Sequence, residues 1–107
     1  MESLRGKTVR WTFNDGPVAG MLFEHTLNDD GTIVWRALDG PWKGHSSQEQ
    51  PYAVMKISDD VHAVSYLAKS GTTLTVVLNL STYRAFGFAS GNNEWHSQTG
   101  TFEVVHA

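Results

Sequence analysis

Cysteine is absent from the 107 residues of this sequence, which excludes both a disulfide framework and a thiolate metal site. No stretch is apolar over the length needed to cross a membrane, and residues 1–5 lack the apolar run of a signal peptide. Lys and Arg number only eight and the net charge is −3, whereas binding to nucleic-acid phosphates requires a basic face. We therefore expect a cytoplasmic protein that binds neither a membrane nor nucleic acid.

The usual sequence signatures of cofactor and catalytic sites are also missing. There is no Gly-x-Gly-x-x-Gly pattern and no phosphate-binding loop, and Ser65, Ser70 and Ser90 lie in no nucleophile elbow. The five histidines show neither His-x-His nor His-x-x-x-His spacing, so a metal site would need ligands from separate elements. The sequence thus predicts no cofactor and no metal site.

Aromatic side chains are abundant: the chain contains four Trp, three Tyr and five Phe. Its length fits a single domain, residues 1–107. Folding of a domain of this size buries roughly two-thirds of the surface of the unfolded chain. That is enough for a hydrophobic core without cross-links.

Apolar residues alternate with polar ones along most of the chain, which is the pattern of half-buried β-strands. In the first such segment, Val9, Trp11 and Phe13 share one face. We predict eight strands, separated by turn-forming residues, over residues 8–14, 21–27, 33–37, 52–57, 61–68, 74–80, 84–90 and 100–105. Such a meander favours an all-β, antiparallel up-and-down barrel, with a β-sandwich as the alternative. The connection of residues 39–51 is the only segment long enough for a lid or a barrel-end closure.

An eight-stranded barrel has an interior just wide enough for packed side chains or for one small ligand. The alternation predicts an inward set that is rich in rings and includes two histidines: Trp11, Phe13, Phe23, His25, Trp35, Met55, His62, Tyr66, Leu78, Phe86 and Phe88. The orientation of residues 61–67 is ambiguous, because either parity of this strand is apolar. Many rigid rings together either fill the core or leave a cavity that suits a planar ligand, and composition alone does not choose between these.

Several segments carry a family pattern: residues 6–13 (Gly-Lys-Thr-Val-Arg-Trp-Thr-Phe), 23–26 (Phe-Glu-His-Thr) and 30–36 (Asp-Gly-Thr-Ile-Val-Trp-Arg), followed by 65–67, 70–78 and 100–105. Together they resemble the MoaF-like proteins, a family named for molybdenum cofactor biosynthesis, and the resemblance covers nearly the whole chain. It implies a calycin (lipocalin-like) barrel and a bacterial origin, but little about chemistry.

A more distant resemblance is to bacterial phenolic acid decarboxylases, which orient a hydroxycinnamate with two tyrosines, an arginine and a glutamate inside a similar barrel. The positions that match the tyrosines are Trp11 and Phe13, which have no hydroxyl group. His45 stands in place of the arginine and Ala68 in place of the glutamate. Phenolic acid decarboxylase activity is therefore not expected.

Two histidines are the remaining candidates for chemistry. His25 alternates with Phe23 and Leu27, and an inward histidine of near-neutral pKa can act as an acid, a base or a polar anchor. The alternative is a core histidine hydrogen-bonded to Tyr66 or to the backbone. His62 carries the same two interpretations.

Three functions follow as hypotheses, because one fold hosts many activities. The first is a binding module for a small apolar or aromatic metabolite. The second is a small lyase or isomerase without a cofactor, in which His25 and His62 act as acid and base. The third is an accessory protein with a filled barrel. Apolar residues on the predicted outer faces, Leu22, Val34, Val54 and Val77, make a homodimer one alternative to a monomer.

Overall fold

Nine antiparallel strands form one sheet that curls into a nearly closed barrel in the computed structural model of this protein, which describes residues 3–105. The elements in chain order are β1 (Thr8–Phe13), β2 (Leu22–Leu27), β3 (Ile33–Ala37), a short 3₁₀-helix (Gly40–Trp42), β4 (Ser46–Glu49), β5 (Tyr52–Lys56), β6 (Val61–Leu67), β7 (Thr73–Asn79), β8 (Arg84–Gly91) and β9 (Glu94–Val105). The all-β, antiparallel barrel predicted from the alternation is confirmed, with one strand more than the eight expected. No helix in the described part of the chain has the length and apolarity required to cross a membrane.

Every pair of strands that are consecutive in sequence is hydrogen-bonded except β4 and β5, and β1 pairs in addition with β9. The order across the sheet is β4-β3-β2-β1-β9-β8-β7-β6-β5, so β1 pairs with β9 and places Arg10 opposite Glu103. The two edge strands, β4 and β5, follow one another in sequence but are not paired. We call the line between these two strands the seam.

The additional strand, β4, lies in the connection of residues 39–51, for which the sequence indicates a lid or a barrel-end closure. Ser46–Glu49 pairs with β3, where Ser47 lies opposite Trp35. These residues are all polar, so the segment shows no apolar alternation by which it could have been predicted. β9 also begins at Glu94 rather than at residue 100. Its first half was not predicted because residues 94–99 are polar apart from the outward Trp95 and show no apolar inner face.

Apolar side chains fill one end of the barrel. Val9, Leu27, Ile33 and Leu78 are fully buried there, and Leu4 closes this end from the segment before β1. Burial of each such side chain stabilises the fold by about 1.5–3 kcal/mol. This end of the barrel is therefore filled by side chains of its own strands and of the segment before β1.

The inward parity expected for β1 and β2 is the one observed, and of the two parities left open for residues 61–67 the structure has the one with His62 and Tyr66 inside. Trp11 and Phe13 are buried in β1, Phe23 and His25 in β2, and β6 turns His62, Val64 and Tyr66 inward. The expected inward orientation of Met55, Phe86 and Phe88 is wrong. Met55 is 67% exposed, because Tyr52 and Val54 are the inward residues of β5.

β8 has the parity opposite to the one predicted. Its inward residues are the small Ala85, Gly87 and Ala89, whereas Phe86 and Phe88 lie on the outer wall. A Cβ atom added to Gly87 would stand 2.6 Å from the ring of Phe13, so the ring occupies the space that a side chain on β8 would need. The outward rings have partners of their own, since Phe88 stacks on Trp95 and the guanidinium of Arg84 lies over Phe86.

Candidate functional site

A cavity of about 280 Å³ lies at the end of the barrel opposite the filled core. The inner faces of seven strands and three connecting segments line it: Trp11, Phe13, Pro17, Val18, Phe23, His25, Trp35, Trp42, Tyr66, Ala68, Thr72, Leu74, Ala89, Glu94, His96 and Gln98. One feature of the fold leaves this space open: β8 contributes only the small residues Ala85, Gly87 and Ala89 to the inside.

Aromatic rings form the deep wall of the cavity. The imidazole of His25 stacks on the indole of Trp11, with ring centroids 3.9 Å apart and planes inclined by 20°. Phe23 makes edge contacts at 6.2 Å with both Trp35 and Trp42. Because Trp42 is 45% exposed and lies on the 3₁₀-helix, it extends this wall of rings from the interior to the mouth.

His25 and Tyr66 are a buried polar pair in this aromatic wall. Nε2 of His25 and the hydroxyl of Tyr66 are 2.9 Å apart, a hydrogen-bond distance, while Nδ1 of His25 has no partner among the described residues. Burial lowers the pKa of His25 to about 3, so its imidazole is neutral near pH 7. Burial, and then the charge of Glu49, raise the pKa of Tyr66, which keeps its hydroxyl protonated.

Glu49 ties the two edges of the sheet together behind this pair. Glu49 is only 3% exposed. Its carboxylate accepts hydrogen bonds from Nε1 of Trp35 (3.1 Å) and from the backbone N–H of Lys69 (3.2 Å). One bond goes to β3 and the other to the turn after β6, so Glu49 spans the seam. Tyr52 does the same from β5, because its hydroxyl donates to the carbonyl of Asn28 at 2.8 Å.

The first half of β9 supplies a polar wall that the sequence analysis missed. Glu94, His96 and Gln98 alternate with outward residues and face the cavity, from the exposed mouth at Glu94 to the buried Gln98. Glu49 was missed as well. The β9 residues could have been predicted from their spacing of two residues, because Gly100 and Phe102 continue the same alternation on the inner face of the strand.

The structure brings six of the sequence-predicted site residues together at the cavity: Trp11, Phe13, Phe23, His25, Trp35 and Tyr66. Met55, Phe86 and Phe88 lie on the outer wall, as described above. His62 and Leu78 are fully buried opposite one another at the filled end, away from the cavity. Neither ring nitrogen of His62 has a partner among the described residues, so nothing there connects it to His25 as a second acid or base.

The positions matched to the decarboxylase residues offer no replacement for them. His45 is exposed between the 3₁₀-helix and β4, and Ala68 lines the cavity with a methyl group only. Trp11 and Phe13 present carbon surfaces to the interior.

These features define a small antiparallel barrel with a ring-lined pocket at one end. The family model described as the MoaF N-terminal domain matches residues 1–94, and the chain belongs to this family. The fold is similar to that in the crystal structure of a protein from Burkholderia vietnamiensis described as a "putative beta-lactamase", with a TM-score of 0.79, 17% sequence identity and 95% of each chain covered. At this identity the likeness concerns the fold alone. No curated protein matches the sequence.

Proposed function

We propose that this protein binds a small apolar or aromatic molecule in the ring-lined pocket. The observation that carries the proposal is the cavity itself, because a barrel with a filled interior could not hold a ligand. Its volume of about 280 Å³ lies just below the usual range for drug-sized ligands and above a 150 Å³ protein cavity known to accept benzene. A molecule of one ring with a short side chain fits this space.

The chemistry of the lining supports the same class of ligand. Trp11, Phe23 and Trp35 offer ring faces and edges on which a planar molecule stacks. His25 and Tyr66 supply a few polar atoms at the bottom, which is how such pockets fix the orientation of a ligand.

Filling the cavity tests the proposal. Ala89→Leu adds apolar volume inside the pocket, so we expect affinity for indole, phenol and 2-phenylethanol to fall at least about tenfold, which corresponds to about 1.4 kcal/mol. The affinities are measured by quenching of the intrinsic tryptophan fluorescence. Ala53→Leu is the matched control, because Ala53 is exposed on the outer face of β5 and its substitution leaves the cavity unchanged. Failure of the wild-type protein to bind any of these probes at millimolar concentration would refute the proposal.

A second candidate function is favoured by one observation at His25. Its imidazole is neutral and lines the pocket, and Nδ1 has no partner among the described residues, so a proton acceptor stands at the pocket wall, although a pKa of about 3 makes it a weak base at pH 7. The reaction class would be a lyase or isomerase step on an aromatic substrate, with Tyr66 orienting the imidazole. Turnover of an aromatic substrate that disappears in the His25→Phe variant, with the fold retained, would establish it.

A further inference from the structure

The pocket has an uneven distribution of charge. None of its lining residues, all of which lie within residues 3–105, is lysine or arginine, and Glu94 is the one carboxylic side chain among them. The other titratable residues of the lining are His25, His96 and Tyr66. Since burial keeps His25 neutral, the deep part of the pocket offers no positive charge to an anion.

A second carboxylate lies behind the deep wall. Glu49 reaches Trp35 through a hydrogen bond, and after burial its charge is the second cause of the raised pKa of Tyr66. The pocket is therefore bordered by one carboxylate at the mouth and by another beneath the rings.

Five of the eight basic side chains contact partners away from the pocket. Arg10 and Arg36 both pair with Glu24 on the outer wall, at 2.8 Å and 2.7 Å. Further basic groups contact partners outside the pocket, namely Lys56 with Asp59, Arg5 over the ring of Tyr52 and Arg84 over the ring of Phe86.

The lining rings favour the same sign of charge in a ligand. The faces of tryptophan and phenylalanine attract cations electrostatically, and Trp42 and Phe23 lie between the mouth and the deep wall. A carboxylate or phosphate placed there would lose its hydration and gain no opposite charge, which is unfavourable.

We propose, as a refinement that rests on the proposed function, that the pocket selects aromatic ligands bearing a positively charged amino group and rejects aromatic carboxylates. The ring of such a ligand lies on the deep aromatic wall, and its short side chain directs the ammonium group towards Glu94 at the mouth. The ligand class is thus that of the arylalkylamines, molecules of one ring and a short aminoalkyl chain.

Three probes of nearly equal size test the selectivity: 2-phenylethylamine, 2-phenylethanol and phenylacetate. They share the ring and differ in a side chain that is positive, neutral or negative at pH 7. In fluorescence titrations at low salt, we expect the amine to bind best and the carboxylate worst, with affinities that differ at least about tenfold. This difference in affinity should become smaller as salt is added, because part of it comes from an electrostatic interaction at the exposed mouth.

Glu94→Gln separates charge from shape. This variant should weaken binding of the amine about two- to fivefold, the range expected for an exposed ion pair, and leave binding of the alcohol unchanged. Glu103→Gln is the matched control, because it removes a carboxylate from the outer wall of the same strand, β9.

The outcomes distinguish this refinement from the proposed function. Equal or tighter binding of phenylacetate, or an amine preference that Glu94→Gln leaves intact, overturns the charge selectivity while the binding function stands. Absence of binding for all three probes overturns the binding function and the selectivity with it.

Discussion

His25 holds three roles at one position of β2. It stacks on Trp11, it shares a hydrogen bond with Tyr66, and it lines the pocket. The sequence posed a choice between a core histidine bonded to Tyr66 and a histidine at a ligand site. In the structure the hydrogen bond to Tyr66 is present and the imidazole also lines the pocket, so under the proposed function a substitution there is expected to affect both stability and binding.

Replacing His25 by Phe keeps a ring against Trp11 but removes both nitrogens. The hydroxyl of Tyr66 then loses its buried partner, so we expect the free energy of unfolding at pH 7.5 to fall by about 1–3 kcal/mol. We also expect weaker binding of phenol, which can hydrogen-bond, with little change for toluene, which cannot. Chemical denaturation and fluorescence titration measure the two effects.

Tyr66→Phe is the companion variant, because it breaks the same hydrogen bond from the other side and leaves the imidazole in place. If both variants lose stability but neither changes the affinity for phenol relative to toluene, His25 is a core residue and has no part in binding.

At the scale of the strand, β8 and β9 each contain a glycine at a position where a neighbouring group leaves no space for a side chain. Gly87 faces the ring of Phe13, and Gly100 lies against backbone: a Cβ added there would be 1.8 Å from the carbonyl oxygen of Thr12. A ring can shift within the neighbouring cavity, whereas the paired backbone of β1 cannot.

We therefore expect Gly100→Ala to destabilise the protein more than Gly87→Ala. Overpacking at Gly87 should lower the free energy of unfolding by about 1–3 kcal/mol and push Phe13 towards the pocket, which lowers ligand affinity. Gly100→Ala should lower the free energy of unfolding by more than this or prevent folding, because β1 and β9 would have to separate. Urea denaturation of both variants checks the order, and an equal loss in the two would contradict it.

The same strands show what could be predicted from the sequence. Clean alternation in β1 and β2 placed Trp11, Phe13 and Phe23 correctly, because their apolar and polar faces differ clearly. In β8, Phe86 and Phe88 are the larger apolar residues, and only the position of Phe13 on a distant strand explains why they face outward. Such information is tertiary, and local pattern does not contain it.

The polar members of the site were hidden for a related reason. Glu49, Glu94, His96 and Gln98 are of types that usually face solvent, and their strands have polar residues on both faces. Their inward orientation follows from pairing with β3 and β8, so it becomes visible only when the register is known.

At the scale of the whole molecule, His25 links stability to pH. Its pKa is about 3 in the folded protein and about 6.5 when exposed, so the unfolded chain takes up the proton first as pH falls. The stability that neutral His25 contributes is fully present above pH 6.5 and is lost progressively towards pH 3.

Between pH 7.5 and pH 5, we expect the free energy of unfolding of the wild-type protein to fall by about 2 kcal/mol more than that of the His25→Phe variant. The other four histidines are present in both proteins, so their effects cancel in the comparison. Glu24 acts only at lower pH: burial opposes its ionisation, but hydrogen bonds from Arg10 and Arg36 outweigh this and lower its pKa. Thermal melts across this range measure the difference, and parallel curves would contradict the expectation.

The sheet order also divides the chain into two sets of consecutive hairpins, β1 to β4 and β5 to β9, that meet along the ladder between β1 and β9. Within each set the paired residues are near neighbours in sequence, whereas Arg10 and Glu103 are about ninety positions apart. Closing a loop of that length costs conformational entropy that no local hairpin incurs, and such non-local pairing slows folding. Formation of the ladder that joins the two sets is thus expected to be a slow step in folding. The pocket requires it, since Trp11 and Gln98 come from its two strands.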